Sequence, residues 1–419
     1  MDSSEPTPRF PIDAVAPAVA IARASGAIRD GTPAVVFHDL DRLDARIRVL
    51  RRAFPPDTLH AVAVKANPLL GVLRTAVAAG AGLEVASGGE LALATAAECP
   101  PDRIVYDAPA KSRDALAHAL TLGVWINADN AEELARIESL GGPRGGGVGL
   151  RVNPEVGEGR IAATSTVGAA SKFGEPLHRA AELVQRFPFI RGLHVHTGSQ
   201  GVGLALIEAA VARTASVART LGLDVLDVGG GLPVRYTDAD PTPPGLCAWG
   251  TALAPHAVGL RMVTEPGRVL QAGCGWAIAR IEATKMVGGE PALVTTLGAD
   301  MFLRRAYAPN DWDHELHVLD PDGHLRSGDP RPTTVAGPLC FSGDLLARGR
   351  PLPPAQRGDW LLIRDVGAYT VGMWSRYCSR PMPGVWGLRT SGLSCLRAPE
   401  TPEDIVAFWS PPAEEPGPG

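Results

Sequence analysis

Only four lysines stand among the 40 basic residues of this chain: Lys65, Lys111, Lys172 and Lys285. A lysine amine can lose its proton and attack a carbonyl, whereas a guanidinium stays charged. Lys65 ends the strand-like run HAVAVK and is followed by Ala-Asn-Pro. Other reactive or ligand-binding types stand at the ends of similar runs: Ser87, Arg151, His196, Ser199, the triplet Gly229-Gly230-Gly231, and Glu265 with Arg268. An amine, an imidazole, a carboxylate, a glycine triplet and several hydroxyl or guanidinium groups have the composition of a cofactor pocket.

Each of these has a specific chemistry and a plainer rival. Three glycines after VLDV let the backbone approach a ligand and turn its N–H groups into an anion-binding nest; a simple tight turn is the rival. Ser199 and the charged fork of Arg268 would add phosphate ligands. A lysine opposite a phosphate site points to a Schiff base with pyridoxal 5'-phosphate. Glu265 would then hold the pyridine nitrogen protonated, so that the ring accepts electrons; its rival is a loop acid. His196 would stack on the ring, against the bland reading of a satisfied core histidine.

These residues need a frame that gathers strand ends, and the chain supplies one. Between about residues 59 and 270, eight apolar runs alternate with helical patterns such as AEELARIESL and HRAAELVQRF. They are HAVAVK, LEVAS, RIVYD, VWIN, VGLRVN, GLHVHT, VLDVGGG and LRMVTEPG. Such alternation predicts parallel βαβ units, and eight runs predict an α/β fold with a (β/α)8 TIM-like barrel, whose active site forms at the C-terminal strand ends. A doubly wound open sheet is the alternative. A ninth run, AVVFH (34–38), precedes the eight. After residue 270 helical periodicity fades and short runs such as DWLLIRDV and LSCLRA predict a C-terminal antiparallel β-domain. The expected division is a barrel over 34–270, a β-domain over 271–409 joined by 1–33, and an unstructured tail over 410–419.

Composition excludes several classes. With 45% hydrophobic and 20% charged residues, the chain can bury a sizeable core. A net charge of −5 without long runs leaves no footprint for nucleic acid. No basic-then-apolar leader opens the chain and no long apolar span follows, so a membrane partner is not expected and the predicted location is cytoplasmic. The six cysteines are scattered with no CxxC pair, which reads as reduced thiols rather than zinc ligands; no metal is expected.

The motifs HAVAVKAN, LEVASGGEL, RVNP, SKFG, HVHTGSQ, DVGGGLP, TEPGR, CFSGD and GAYTVGM occur in one order from about residue 34 to 385. In that order and spacing the chain resembles the fold-type III pyridoxal phosphate decarboxylases, the alanine-racemase-fold enzymes that include diaminopimelate and ornithine/arginine decarboxylases. The resemblance implies that Lys65 carries the cofactor, His196 stacks on its ring and Glu265 meets its pyridine nitrogen. It implies phosphate ligands in Ser199, Gly229, Gly230, Gly231, Arg268 and Tyr369. Glu84 and Glu90 would line the cofactor and Arg151 would support the pocket. Cys340 would come from the neighbouring subunit to reprotonate the substrate carbon, which makes the expected assembly a homodimer with shared active sites. Arg304, Tyr307, Phe341 and Asp344 would contact the substrate.

Three positions depart from the family pattern. Phe341 replaces the acid that meets the substrate's distal ammonium, Thr296 stands where an Asp is expected with Arg304 three residues before Tyr307, and Tyr377-Cys378 replaces Tyr-Asn. A phenylalanine cannot pair an ammonium. The resulting expectation is a pyridoxal phosphate-dependent amino-acid α-decarboxylase, diaminopimelate decarboxylase-like, acting on a non-standard, conjugated or carrier-tethered amino acid in specialised metabolism. The alternatives are an ordinary meso-diaminopimelate decarboxylase of lysine biosynthesis, an amino-acid racemase, and a non-catalytic cofactor-binding paralogue.

Overall fold

The computed structural model describes residues 10–411, so most of the tail expected to be unstructured (410–419) lies outside the described residues. Two compact units form. One comprises Phe10, Asp39–Gly275 and Asp365–Gly372, and the other Pro11–His38, Trp276–Arg364 and the described residues from Met373 onward.

In the first unit the eight apolar runs become strands β1 (Leu59–Ala63), β2 (Gly82–Val85), β3 (Ile104–Asp107), β4 (Trp125–Ala128), β5 (Val148–Asn153), β6 (Ile190–His194), β7 (Val225–Asp227) and β8 (Arg261–Thr264). Every neighbouring pair is parallel. β1 pairs with β8 and β4 with β5, which closes the sheet into a barrel. Aliphatic residues predominate in these strands because both faces are covered: the inner face fills the barrel and helices cover the outer one. Ala61, Val105, Val225 and Val263 pack as one buried cluster, with Leu59 and Trp125 against it. Closure forces all eight C-terminal ends into one rim, so residues far apart in sequence become neighbours there.

The second unit holds a nine-stranded sheet that is largely antiparallel. It contains a parallel pair, Glu290–Thr295 with Arg331–Ala336, so the sheet is mixed. The run grouped with the barrel at residue 34 lies in this sheet instead. Ala34–Asp39 sits between Gly275–Val287 and Gly384–Arg389, and the Phe37 ring stacks on Trp276 at 4.2 Å. An apolar run buried on both faces looks the same in either sheet, so its pattern alone could not assign it. The longest strand, Gly275–Val287, was not anticipated: its first half is buried except for half-buried Arg280 and its second half is exposed, which breaks any period-two signal. Among the described residues no helix is long and apolar enough to cross a membrane.

Candidate active site at the barrel rim

Lys65 leaves β1 on a single 3-10 turn, Val64–Ala66, at the C-terminal rim. Its Nζ lies 2.5 Å from Glu84 Oε1, and its side chain is 37% exposed while that of Glu84 is fully buried. Burial opposes the ammonium, but Glu84, Tyr369, Glu265 and Asp107 outweigh it and raise Lys65 above the ordinary lysine range.

Glu265 follows β8 directly and is buried. Its Oε2 lies 3.6 Å from His194 Nε2 and 3.6 Å from His196 Nδ1. Neither of its oxygens accepts a hydrogen bond among the described residues. Burial opposes its charge, yet His194, His196 and Lys65 hold the carboxyl well below the usual carboxylate range. His196 Nδ1 accepts the Gly230 N–H at 3.1 Å, which leaves the proton of its neutral ring on Nε2. Burial lowers the His196 pKa, consistent with that neutral form.

The glycine triplet is sterically required. Gly229 has φ +63°, and a Cβ there would stand 2.6 Å from His196 Nδ1; at Gly230 it would stand 2.3 Å from the Glu265 carbonyl oxygen. The backbone therefore runs against the histidine and the Glu265 carbonyl with no room for a side chain. Beside it, buried Arg268 donates from Nε and Nη2 to Ser199 Oγ at 3.2 and 3.1 Å and from Nη1 to Tyr236 Oη at 2.7 Å. Its guanidinium lies 4.6 Å from the Tyr369 ring centroid. Glycine backbone, serine hydroxyl and arginine fork suit a phosphate; the buried carboxylate, whose oxygens accept no hydrogen bond among the described residues, suits a protonated ring nitrogen. These residues fit pyridoxal phosphate.

Arg151 donates to Asp107 Oδ2 at 2.9 Å and stacks over Phe173 at 4.4 Å, in the supporting place expected of it. Ser87 caps the helix Gly88–Ala96 by accepting the Glu90 N–H, while the Glu90 carboxylate accepts the Ala86 N–H at 2.7 Å. Both residues thus fasten a helix start.

The remaining predicted residues lie in the second unit. Cys340 and Cys378 are exposed thiols, and hydrogen bonding between them raises Cys340. Phe341 is 41% exposed and meets the Tyr377 ring edge-on at 6.1 Å. Arg304 and Tyr307 share the short helix Leu303–Tyr307, where Arg304 lies 4.5 Å over the Trp312 ring and Tyr307 is exposed. Asp344, expected among the substrate contacts, is buried and accepts the N–H groups of Ala299 and Leu339, each at 2.6 Å. Its carboxylate fastens a loop. Thr296 is likewise buried and donates to the Pro33 carbonyl.

Sequence reasoning missed His194, Asp107, Asp227 and Tyr236. A signal for His194 existed: it stands two residues before His196. Asp107 and Asp227 both end strands, the position used to select the others.

Residues 40–272 match the family described as pyridoxal-dependent decarboxylase, pyridoxal binding domain. The diaminopimelate decarboxylase of Deinococcus radiodurans is 38% identical over 385 residues, covering 90% of this chain and 96% of that one. That of Streptomyces coelicolor is 33% identical over 441 residues, covering 99% and 96%. Among solved structures, the diaminopimelate decarboxylase of Helicobacter pylori complexed with L-lysine aligns with a TM-score of 0.82 at 27% identity, covering 90% of this chain and 96% of that one. AQ1208 from Aquifex aeolicus aligns with a TM-score of 0.79 at 27% identity, covering 90% and 91%.

Proposed function

Since the chain belongs to the pyridoxal-dependent decarboxylases, with pyridoxal phosphate as its cofactor, we propose that it removes one carboxylate of meso-diaminopimelate to give lysine. The observation that carries this reading is the 38% identity to a diaminopimelate decarboxylase over 96% of that enzyme's length. It displaces the conjugated or tethered substrate anticipated from Phe341. That expectation rested on the residue type at one position, against which stands similarity along nearly the whole chain.

Bound pyridoxal phosphate supplies an electron sink for the pair left on the substrate carbon when carbon dioxide departs. The chain's residues do the rest. Lys65 supplies the amine that carries the cofactor, and Glu84 at 2.5 Å is placed to take its proton first. Arg268, Ser199 and the amides of Gly229, Gly230 and Gly231 hold the phosphate, with Tyr369 beside them. Glu265 holds the proton on the ring nitrogen, and neutral His196 covers the ring face. Cys340 of the partner subunit returns a proton to the substrate carbon, which makes a homodimer the smallest active assembly. A lysine-producing decarboxylase also leaves no need for the racemase or non-catalytic readings.

The test is release of carbon dioxide from meso-diaminopimelate by the purified holoenzyme, with the product identified by mass. Lysine in step with carbon dioxide is expected. Turnover of another amino acid with none of diaminopimelate would overturn the substrate, and epimerised substrate without carbon dioxide would overturn the reaction.

A further inference from the structure

His194 ends β6, is fully buried, and has no part in the roles above. Its Nδ1 faces Asp107 Oδ1 at 3.6 Å and its Nε2 faces Glu265 Oε2 at 3.6 Å. A carboxylate therefore stands at each ring nitrogen. A neutral imidazole has one N–H and would turn a lone pair toward one of the two; only the imidazolium offers a proton to both.

The other groups around it reinforce this. Arg151 on β5, in register with His194, already holds Asp107. Asp227 on β7, also in register, accepts from Asn127 Nδ2 at 2.8 Å and from the Gly229 N–H at 3.0 Å. His196 cannot supply the charge, because its Nδ1 accepts the Gly230 N–H. Lys65, on the far side, is engaged by Glu84. The result is a string of alternating sign: Arg151, Asp107, His194, Glu265.

We propose that His194 is a positioning residue that fixes both the charge and the aim of Glu265 toward the pyridine nitrogen. The proposal rests on the pyridoxal phosphate reading of the site and adds a role to it. A buried carboxyl with only neutral neighbours takes up a proton, and a protonated Glu265 cannot hold one on the ring. The contact with His194 also occupies Oε2 and leaves Oε1 facing no donor among the described residues. Burial opposes the His194 charge, but Asp107, Glu265 and Asp227 outweigh it and raise this histidine to about 9.

The test begins with the apoprotein, so its first outcome does not depend on cofactor or substrate. Histidine side-chain NMR should show one ring that stays charged up to about pH 9, and His194→Gln should remove that signal. The second arm titrates the apoprotein with pyridoxal phosphate and with its carbocyclic analogue, in which carbon replaces the ring nitrogen. His194→Gln should weaken pyridoxal phosphate by about tenfold, the worth of one pKa unit, and leave the analogue unchanged. A merely structural role would weaken both alike. The proposal is overturned if every wild-type histidine titrates below about pH 8, or if both ligands weaken equally. Should the wild type fail to bind pyridoxal phosphate, the cofactor reading falls while the NMR still decides the charge of His194. If the glutamine variant does not fold, His194→Asn serves for both arms.

Discussion

Replacing Arg268 by methionine keeps the hydrophobic stem and removes the guanidinium, so it isolates what the fork contributes. In the structure that fork donates twice to Ser199 Oγ and once to Tyr236 Oη. A buried guanidinium beside a serine hydroxyl and a glycine turn suits a phosphate. A hydrogen bond to a charged group contributes about 1.5–3 kcal/mol, which corresponds to a 10- to 150-fold loss in affinity. The assay is a titration of apoprotein with pyridoxal phosphate, followed by absorbance, alongside the same titration with pyridoxal, which lacks the phosphate. Arg268→Met should weaken pyridoxal phosphate by that factor and leave pyridoxal nearly unchanged. Arg268→Lys should fall between, since it keeps the charge but loses the planar fork. An equal loss for both ligands would refute the phosphate role, because it would mean that Arg268 merely supports the pocket.

Borohydride treatment of the holoenzyme should fix the cofactor to Lys65; label on Lys111, Lys172 or Lys285 would sink that assignment. Lys65→Ala and Cys340→Ala chains, each inactive alone, should recover roughly a quarter of wild-type activity when mixed and exchanged as symmetric dimers; no recovery after demonstrated exchange would exclude shared sites. Lys111→Met should cost about 3–5 kcal/mol in urea unfolding, because it strands buried Glu133, its partner at 2.6 Å. Adding Glu133→Leu should restore much of that stability. The raised His194 stabilises the fold fully below its unfolded pKa near 6.5 and loses that contribution as pH rises through about 9. Wild-type apoprotein should therefore lose up to about 3 kcal/mol between those limits relative to His194→Gln. Parallel pH profiles of thermal unfolding would count against it.

The barrel was legible because closure requires eight aliphatic strands with helical cover, and that alternation survives in the sequence. The candidate site was legible where an unusual type stands at a strand end: Lys65 in an arginine-dominated chain, or Gly229 and Gly230 where a Cβ would strike His196 and the Glu265 carbonyl. Legibility failed where a side chain serves structure in a position that mimics function. Asp344 sits inside the CFSGD motif, yet its oxygens answer the amides of Ala299 and Leu339. Ser87 and Glu90 likewise close a helix start. Phe341 misled differently, since one residue type was set against a likeness that runs along nearly the whole chain. His194 escaped notice because a buried histidine is ordinarily inert, and only the two carboxylates brought in by β3 and β8 give it a charge.

The proposed reading also implies which way round the cofactor would lie. Glu84, Asp107, Asp227 and Glu265 are all buried, with Lys65, Arg151 and His194 among them. Within this cluster Glu265 is held ionised, which suits a ring nitrogen able to carry a proton. Arg268, three residues beyond Glu265, donates to Ser199 and Tyr236. The turn after β8 thus presents a carboxylate and a guanidinium in opposite electrostatic settings. On the proposed reading pyridoxal phosphate would have the matching polarity, with its phosphate at the Arg268 end and its ring nitrogen at Glu265. Exchanging the two charges, as Glu265→Arg with Arg268→Glu, would place a cation among histidines and a carboxylate where a phosphate must sit. Both ends would then repel the ligand, so orientation is a property of where the barrel sets its charges rather than of pocket shape alone.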